Sequence, residues 1–406
     1  MKQKPLIAPF EKPITVTRPS LPSLDEFKKG LEGIWDRAWL TNNGQVLEEF
    51  RQRLVEFCST DNLCLFANGT LALQIALQGM GITGDVITTP YTFVATTHAL
   101  FWNKIRPVFA DIEPQYYTLD PAQVEAAITP WTSAILAVHV YGHPCNLTEL
   151  EKIARKRGLK LIYDAAHAFG VEVDGRPIGD FGDLSMFSFH ATKVFHSVEG
   201  GMLTFQDPRL MRIFDYLKNF GFENELEVVM PGTNAKMNEI QALMGLLLLT
   251  NYDGMREKRR CIHDRYRERL STLPGLTLAS PLSTAVRQNY AYMPVEVHSK
   301  DFGLTRDELY AKLREYNIFG RRYFYPLVPD FACYRGMCRV EELPVARGVA
   351  SRILTLPNYT DLKLEDVDRI CDIVAHIQSH SRRPTRMAGV STAPSTKPGV
   401  TAVQLQ

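Results

Sequence analysis

The chain has 406 residues, of which 45% are hydrophobic and 22% are charged, a composition typical of a folded globular protein long enough for two domains. The 46 Lys and Arg residues are balanced by 45 Asp and Glu residues. A formal net charge of +1 excludes the strong positive field that draws nucleic acids or anionic membranes to a protein. Any phosphate group that the protein binds must therefore be held by a local site.

The sequence shows no membrane span, signal peptide or metal motif. Its longest strongly apolar run, residues 243–249, is far shorter than the roughly 20 residues that cross a bilayer. The N-terminus carries Pro5, Pro9 and Pro13 where a signal peptide has an apolar core. The 7 cysteines are scattered without CxxC spacing, which favours reduced thiols over disulfides or a metal site. We expect a cytoplasmic protein with no nucleic-acid partner, no membrane contact and no metal.

From about residue 60, short β-rich runs alternate with amphipathic helical patterns, which is typical of βαβ units and a largely parallel sheet. Strands are predicted at residues 86–89, 107–111, 134–140, 160–164, 184–188 and 202–205. Helices are predicted at 70–78, 94–102, 121–127 and 148–157. Open α/β sheets bind ligands at the carboxyl ends of their strands, so we expect the chemistry there.

The C-terminal part of the sequence predicts a second, smaller unit. A charge-rich helical stretch at 238–270 leads to a strand at 290–297 and helices at 305–315 and 365–379. Residues 381–406 are rich in Ser, Thr, Pro and Gly and predict a disordered tail. The predicted organisation is an N-terminal arm at 1–19, a large α/β domain at 20–250, a small α+β domain at 251–380 and this tail.

Lys193 is the first candidate for chemistry, because it follows the strand at 184–188 among small and aromatic residues. Partial burial lowers the pKa of a lysine amine and frees it as a nucleophile that can form a Schiff base. Most lysines that follow a strand are solvated, so this position alone does not establish catalysis.

Asp164 ends the preceding predicted strand. A carboxylate there could pair with a protonated heterocycle such as the pyridinium of pyridoxal phosphate, or could simply cap a helix. Because Asp164 and Lys193 follow the carboxyl ends of consecutive parallel strands, we expect both at the same edge of the sheet. Both side chains could then reach one cofactor.

Gly69 and Thr70 open a predicted helix, where free N–H groups and the helix dipole favour an anion. The segment is neither a Walker loop nor GxGxxG, which favours a single phosphate over a nucleotide pyrophosphate. Ser188 could add a hydroxyl donor or could bond only to its own strand. Phe93 follows another strand end and could stack on a planar ring or pack in the core.

Seven motifs, in this order, make the chain similar to the nucleotide-sugar aminotransferases of the DegT/StrS group over about residues 20–380. They are Ala67-Asn68-Gly69-Thr70, Pro90-Tyr91-Thr92-Phe93-Val94-Ala95-Thr96, Asp164-Ala165-Ala166-His167-Ala168-Phe169-Gly170, Ser188-Phe189-His190-Ala191-Thr192-Lys193, Glu199-Gly200-Gly201, Asn234-Ala235-Lys236-Met237-Asn238-Glu239-Ile240-Gln241-Ala242 and Leu343-Pro344-Val345-Ala346.

The resemblance implies the α/β architecture of pyridoxal-phosphate-dependent transferases of fold type I. That fold has a mainly parallel seven-stranded sheet and a smaller C-terminal α+β domain. It also implies that Lys193 links covalently to pyridoxal 5'-phosphate and moves the proton in transamination, that Asp164 pairs with the pyridine nitrogen and that Phe93 packs on the ring. Some relatives replace the lysine with histidine and become dehydratases, so Lys193 favours transamination.

The resemblance further assigns Gly69, Thr70 and Ser188 to the cofactor phosphate. Asn234 would reach the cofactor phosphate of the neighbouring subunit, which implies a homodimer with shared active sites. His167 stands where many members of the family carry Gln near the ring hydroxyl, and either side chain can form that hydrogen bond.

Within the family, residues 219–224 and 232–239 look most like the enzymes that make dTDP-4-amino-4,6-dideoxyglucose. The resemblance implies amination at C4 of dTDP-4-keto-6-deoxyglucose, with L-glutamate as the donor, for surface-glycan or natural-product sugars. A C3 aminotransferase acting on a 3-keto nucleotide sugar is the alternative. The family resemblance also suggests a set of substrate-binding residues, namely Thr41, Asn43, His196, Arg321 and Tyr323. The arginine loop could equally be solvated, and His196 could merely fill the wall behind Lys193.

Two hypotheses from other classes remain. A nicotinamide oxidoreductase would need a glycine-rich fingerprint after its first strand, and none is visible. A non-catalytic protein that retains the fold and binds pyridoxal phosphate for regulation would hold the cofactor without reacting with glutamate.

Overall fold

The computed structural model describes residues 7–381 of the chain. Its strands, in chain order, are β1 (Ile14–Thr15), β2 (Leu63–Phe66), β3 (Asp85–Thr88), β4 (Arg106–Phe109), β5 (Thr132–Val138), β6 (Lys160–Asp164), β7 (Glu172–Val173), β8 (Arg176–Pro177), β9 (Leu184–Ser188), β10 (Gly201–Phe205), β11 (Phe222–Asn224), β12 (Glu227–Val228), β13 (Leu276–Leu278), β14 (Val286–Arg287), β15 (Met293–Val297), β16 (Ile318–Phe319), β17 (Arg339–Val340) and β18 (Ile353–Leu356).

Its α-helices are α1 (Leu24–Arg37), α2 (Gln45–Cys58), α3 (Gly69–Gly79), α4 (Val94–Trp102), α5 (Pro121–Ala127), α6 (Leu147–Arg157), α7 (Leu210–Lys218), α8 (Glu239–Leu249), α9 (Tyr252–Leu270), α10 (Ser299–Phe302), α11 (Arg306–Glu315), α12 (Pro344–Arg352) and α13 (Leu364–Ser381).

The large sheet has eight strands in the order β17-β4-β3-β5-β6-β9-β10-β2. Only β10 runs antiparallel to the rest, since it pairs antiparallel with both β9 and β2. The sheet therefore has one strand more than the seven expected. The additional strand is the two-residue β17, which reaches the edge strand β4 from the C-terminal part of the chain. The predicted α/β fold with a mainly parallel sheet is confirmed.

Helices cover both faces of this sheet. Buried side chains of α3, α4 and α7 form the apolar cluster on one face. Helices α2, α5, α6 and α8 contribute to the larger cluster on the other face, which also takes in residues from the C-terminal part such as Tyr292 and Phe324. Because both faces are covered, the inner strands read as continuous apolar runs in the sequence.

A third apolar cluster forms the smaller C-terminal unit, around the β13-β15-β18 sheet and helices α9, α11 and α13. The N-terminal segment belongs to this packing, because β1 pairs with β16 and Phe10 lies in the same cluster. The domain boundaries at 19, 250 and 380 stay a prediction. Of the predicted tail, only Ser381 is described, as the last residue of α13, and residues 382–406 lie outside the described part.

The predicted helical stretch at 238–270 consists of two helices. Helix α8 begins at a capping box in which the Asn238 side chain accepts from the N–H of Gln241 and the Gln241 side chain accepts from the N–H of Asn238. Asn251 interrupts the stretch with a non-helical backbone conformation just before α9 begins. The break turns the chain from the large sheet toward the C-terminal unit.

Candidate active site

The carboxyl ends of β6 and β9 bring the two central side chains together. Asp164 is the last residue of β6 and lies opposite Met186 of the adjacent parallel strand β9. Ser188 ends β9, and a short turn closed by the hydrogen bond from the Lys193 N–H to the His190 carbonyl oxygen follows it (2.9 Å). The structure thus places Asp164, Ser188 and Lys193 at one edge of the sheet.

Asp164 is held in a fixed orientation. Its side chain is buried, one carboxylate oxygen accepts from the Thr96 hydroxyl at 2.7 Å and the other from the Ala166 N–H at 3.1 Å. Burial raises the pKa of Asp164, while these two donors and the nearby charge of Lys193 oppose the rise. The result is an oriented acceptor aimed at whatever cationic group enters the site.

The Lys193 amine is prepared as a nucleophile. The side chain is half-buried, and among residues 7–381 its Nζ has no hydrogen-bond or ion-pair partner. Burial lowers the pKa of Lys193, and the negative character of Asp164 and Tyr323 opposes the shift. A lysine with a lowered pKa and no partner can bond covalently to a carbonyl group.

His167 follows β6 at the same edge of the sheet, three residues after Asp164. Its Nδ1 accepts from the Tyr141 N–H at 3.2 Å, so the neutral ring carries its proton on Nε2. Burial and the charge of Lys193 keep the pKa of His167 well below its usual range. The ring is parallel to Phe324, with centroids 6.0 Å apart. His167 is therefore a neutral donor that can meet a ring hydroxyl.

The start of α3 forms the predicted anion cradle. The Asn68 side chain caps the helix by accepting from the Leu71 N–H. Among the described residues, the N–H groups of Gly69 and Thr70 have no acceptor. A Cβ added at Gly69 would lie 3.0 Å from the Ser188 Cβ and would close the space between α3 and β9. The cradle thus combines free N–H donors with the hydroxyl of Ser188.

These residues fit pyridoxal phosphate. The cradle offers room for a phosphate where a side chain would fill it, and the buried Asp164 carboxylate and the unpartnered Lys193 amine lie at the same edge. Gly69, Thr70 and Ser188 could hold the phosphate, Asp164 the ring nitrogen and His167 the ring hydroxyl.

Phe93 and Asn234 complete the predicted cofactor set from the surface side. Phe93 immediately precedes α4, one turn before Thr96, and is 57% exposed. Asn234 is also exposed and forms an isolated bridge with Asn219 at the base of the β11–β12 hairpin. Stacking by Phe93 and a contact from Asn234 to a neighbouring subunit stay predictions.

The loop that contains Thr41 and Asn43 is anchored by a residue whose role the sequence did not reveal. Both loop residues are exposed, between α1 and α2. Buried Glu239, at the start of α8, accepts from the N–H groups of Val46 (3.0 Å) and Leu47 (2.8 Å) at the start of α2. These partners lie 193 and 192 residues apart in the chain, so no local pattern could signal the contact.

Arg321 and Tyr323 face the site from the C-terminal part of the chain. The Arg321 guanidinium lies 5.9 Å from the centroid of the Tyr323 ring and has no carboxylate partner among residues 7–381. Burial raises the pKa of the Tyr323 phenol, and the charges of Arg321 and Lys193 oppose the rise. An unpaired guanidinium beside Tyr323 can receive a carboxylate or a phosphate.

Two buried tyrosines, which no sequence pattern marked as site residues, hold this loop in place. The hydroxyl groups of Tyr91 and Tyr141 lie 2.7 Å apart, and each is within hydrogen-bond reach of the Tyr323 carbonyl oxygen. Tyr91 lies in a quoted motif, but its partner at 323 is 232 residues away. The loop is thereby fixed against the edge of the large sheet.

The predicted substrate contact of His196 is replaced by a structural role. The residue is only 1% exposed, and both ring nitrogens are already bonded to the backbone. Nε2 lies 2.7 Å from the Ser20 carbonyl oxygen, and Nδ1 accepts from the Val198 N–H at 3.2 Å. His196 therefore ties the N-terminal segment to the turn after Lys193 and has no nitrogen free for a ligand.

Within the described part of the chain, no group of three or more His, Cys, Asp or Glu side chains could hold a metal ion. Among the same residues, no helix has the length and apolar character of a membrane span.

Comparison with known proteins identifies the family. Residues 23–375 match the DegT/DnrJ/EryC1/StrS aminotransferase family. The dTDP-4-amino-4,6-dideoxy-D-glucose transaminases of Shigella dysenteriae and Escherichia coli are 44% and 45% identical to this chain. The matches cover 91% and 90% of the chain and 100% and 98% of those enzymes. The crystal structure of DesI, determined in the presence of its TDP-sugar product, superposes with a TM-score of 0.87 at 38% identity, covering 92% of this chain and 95% of DesI. The chain belongs to the DegT/DnrJ/EryC1/StrS aminotransferase family.

Proposed function

We propose that this aminotransferase moves the amino group of L-glutamate to C4 of dTDP-4-keto-6-deoxyglucose, giving dTDP-4-amino-4,6-dideoxyglucose. The observation that carries the proposal is the Lys193 amine, which has a lowered pKa and no partner beside a buried, oriented Asp164. The nucleotide and the carbon are supported by the two relatives at 44% and 45% identity that bear the name of this transaminase.

The cofactor is pyridoxal 5'-phosphate, and different residues of this chain bind different parts of it. When bound, pyridoxal phosphate supplies the electron sink that makes the proton on the amino-acid α-carbon acidic. Asp164 keeps the ring nitrogen protonated by pairing with it, and Thr96 fixes the carboxylate for that contact. His167 donates from Nε2 toward the ring hydroxyl. Gly69, Thr70 and Ser188 hold the phosphate.

Lys193 acts as the base and acid of the transamination. Because burial lowers the pKa of its amine, Nζ could accept the α-proton of glutamate and then deliver that proton to the cofactor. Arg321 offers an unpaired guanidinium for the glutamate carboxylate or the sugar-nucleotide pyrophosphate. Tyr323, Thr41 and Asn43 line the approach to the site.

The working unit we propose is a homodimer in which Asn234 serves the cofactor of the neighbouring subunit. Phe93 and Asn234 are exposed in the single chain, and so are large apolar side chains in the segments around them. These include Trp35, Trp39, Leu40, Phe222, Leu226, Val228 and Ile240. Apolar exposure on this scale is typical of an interaction surface.

We place the enzyme in the cytoplasm. All 7 cysteines are free, and four of them, Cys58, Cys64, Cys145 and Cys371, are buried. Unpaired thiols in this number fit a reducing compartment.

A substrate panel tests the function directly. The purified holoenzyme is mixed first with L-glutamate, which should bleach the visible absorbance of the cofactor, and then with dTDP-4-keto-6-deoxyglucose, which should restore it. NMR of the product should locate the new amine at C4. Lys193→Ala should abolish both changes, while Lys152→Ala, at a lysine whose side chain is 70% exposed, should leave them intact.

Two results would contradict the proposal. An amine at C3, formed from a 3-keto sugar nucleotide in preference to the 4-keto sugar, would support the alternative regiochemistry. A bound cofactor that glutamate does not bleach would support a regulatory protein without catalysis.

A further inference from the structure

A cavity of about 140 Å³ lies between the large sheet and the C-terminal unit, and none of its lining residues belongs to the candidate active site. His143 reaches it from the loop after β5, and His263 and Arg267 reach it from α9. Ser280, which follows β13, adds a hydroxyl group. Polar side chains from three separate segments thus meet around one small space.

Arg267 brings an uncompensated positive charge to this cavity. The only hydrogen bond of its side chain among the described residues runs from Nη1 to the Ala279 carbonyl oxygen, at 2.7 Å. No carboxylate lies within ion-pair distance of its guanidinium in residues 7–381. Asp264 also lines the cavity, where its Oδ2 pairs with Arg260 at 3.0 Å and its Oδ1 lies 4.0 Å from Nδ1 of His263. The remaining N–H groups of Arg267 therefore lack an anionic partner.

The two histidines present acceptor nitrogens beside this charge. Nδ1 of His143 lies 3.3 Å from the Tyr116 carbonyl oxygen and must carry the proton to bond there, so Nε2 keeps its lone pair. Nδ1 of His263 is buried without a hydrogen-bond partner among the described residues and lies 4.0 Å from Asp264 Oδ1, so a proton on Nδ1 faces that carboxylate and Nε2 keeps its lone pair. Burial, together with the charge of Arg267, lowers the pKa of each histidine to about 4, so both rings are neutral at pH 7.

A guanidinium beside neutral imidazoles suits an anion that both accepts and donates hydrogen bonds. Dihydrogen phosphate has bare oxygens for Arg267 and O–H groups for the imidazole nitrogens. Sulfate has the same shape but no O–H group, and it would leave the imidazole lone pairs facing its negative oxygens. The chemistry of the cavity thus discriminates between two anions of nearly equal size.

We propose that this cavity is a second phosphate-binding site, separate from the cofactor cradle, with Arg267 as the charge partner and His143 and His263 as acceptors for the phosphate O–H groups. It takes inorganic phosphate or the terminal group of a small phosphate monoester.

Calorimetry on the holoenzyme tests the site, because the cofactor already fills the cradle at α3. Inorganic phosphate is titrated at mildly acidic pH, where the dihydrogen form is abundant, with sulfate and glycerol phosphate in parallel runs. Arg267→Gln should weaken phosphate binding about tenfold or more, the effect expected for losing a charge-assisted hydrogen bond. The control, Arg265→Gln, removes the same charge from the same helix at a residue paired with Asp368 and should change affinity less than about twofold.

A second measurement uses the wild-type holoenzyme and does not depend on the variants. With labelled histidine, phosphate should shift the imidazole signals assigned by His143→Gln and His263→Gln, and sulfate should shift them less. A monoester that binds as well as phosphate would identify esters as the source. Unchanged phosphate binding in Arg267→Gln, or imidazole signals of His143 and His263 that ignore phosphate, would overturn the proposal.

Discussion

The two halves of the candidate site are completed to different degrees within one chain. Asp164, Lys193 and His167 are enclosed, and the carboxylate and the imidazole already have hydrogen-bond partners that fix their orientation. Phe93 and Asn234 lie on open surface, with 57% of Phe93 exposed. A single chain therefore encloses the groups that move protons, while two of the predicted cofactor contacts, Phe93 and Asn234, lie on its open surface.

Lys193→Ala attacks the enclosed half and should have the largest effect. Because the same amine forms the covalent link and transfers the proton, turnover should fall by at least about 10³-fold. Single-turnover kinetics with glutamate would measure it, beside the exposed-lysine variant Lys152→Ala. Substantial turnover by Lys193→Ala would assign the proton transfer to another residue.

Mixed dimers test the open half. Asn234→Ala should weaken cofactor binding about 10–100-fold through the loss of a hydrogen bond to a charged phosphate. Asn234→Ala protein is then mixed with an equal amount of Lys193→Ala protein, and the subunits are allowed to exchange. If Asn234 serves the neighbouring subunit, about a quarter of all sites in the mixture should be intact. The assay uses a cofactor concentration too low to fill the Asn234→Ala site. A mixture that stays inactive would place Asn234 at the site of its own chain.

Thr96→Val tests whether the hydrogen bond from Thr96 sets the pKa of Asp164. Removing the hydroxyl donor raises the pKa of the Asp164 carboxylate, since that hydrogen bond favours the charged form. The acidic limb of the kcat/KM profile should move to higher pH, with kcat reduced about tenfold. Thr96→Ser should restore the profile. Thr97→Val is the matched control, because the buried Thr97 hydroxyl has no partner among the described residues. An unmoved pH profile in Thr96→Val would make the residue structural only.

Glu239→Gln should produce the smallest change, because it affects only the anchor of the exposed loop that contains Thr41 and Asn43. The amide keeps one oxygen acceptor but loses the charge at the start of α2, which should cost about 1–2 kcal/mol of stability. Thermal unfolding measures this, with Glu49→Gln on the exposed face of α2 as the control. A rise in KM for the sugar nucleotide, with kcat retained, should accompany it as the loop at Thr41 and Asn43 loosens. Equal thermal stability of Glu239→Gln and Glu49→Gln would show that Glu239 does not anchor the loop.

Much of the enclosed half could be predicted because local pattern and sheet topology suffice for it. The strands at 160–164 and 184–188 have the predicted bounds, so the positions of Asp164 and Lys193 followed from the order of parallel strands. Helices α4 and α5 also begin and end as predicted. In these segments an apolar run ends at a polar residue. This signal lies in residues that are adjacent in the sequence, so it can be detected without knowledge of the fold.

The remaining features depend on partners far apart in the chain. His196 bonds to Ser20, 176 residues away, and this contact turned a predicted substrate residue into a structural one. The additional strand β17 is two residues long and has no periodicity to detect. Helix α2 lies before residue 60, where the alternating pattern begins, and strand β2 is only four residues long, so neither was predicted.

The short strand β17 also has a consequence for engineering. Tyr91 and Tyr141 hold the chain at the Tyr323 carbonyl, and β17 adds residues 339–340 to the edge of the large sheet. The stretch between these two attachments is fastened at both ends to the same rigid body. An exchange of this predicted substrate loop between relatives should therefore move residues 321–340 together, since a shorter graft would keep only one of the two attachments.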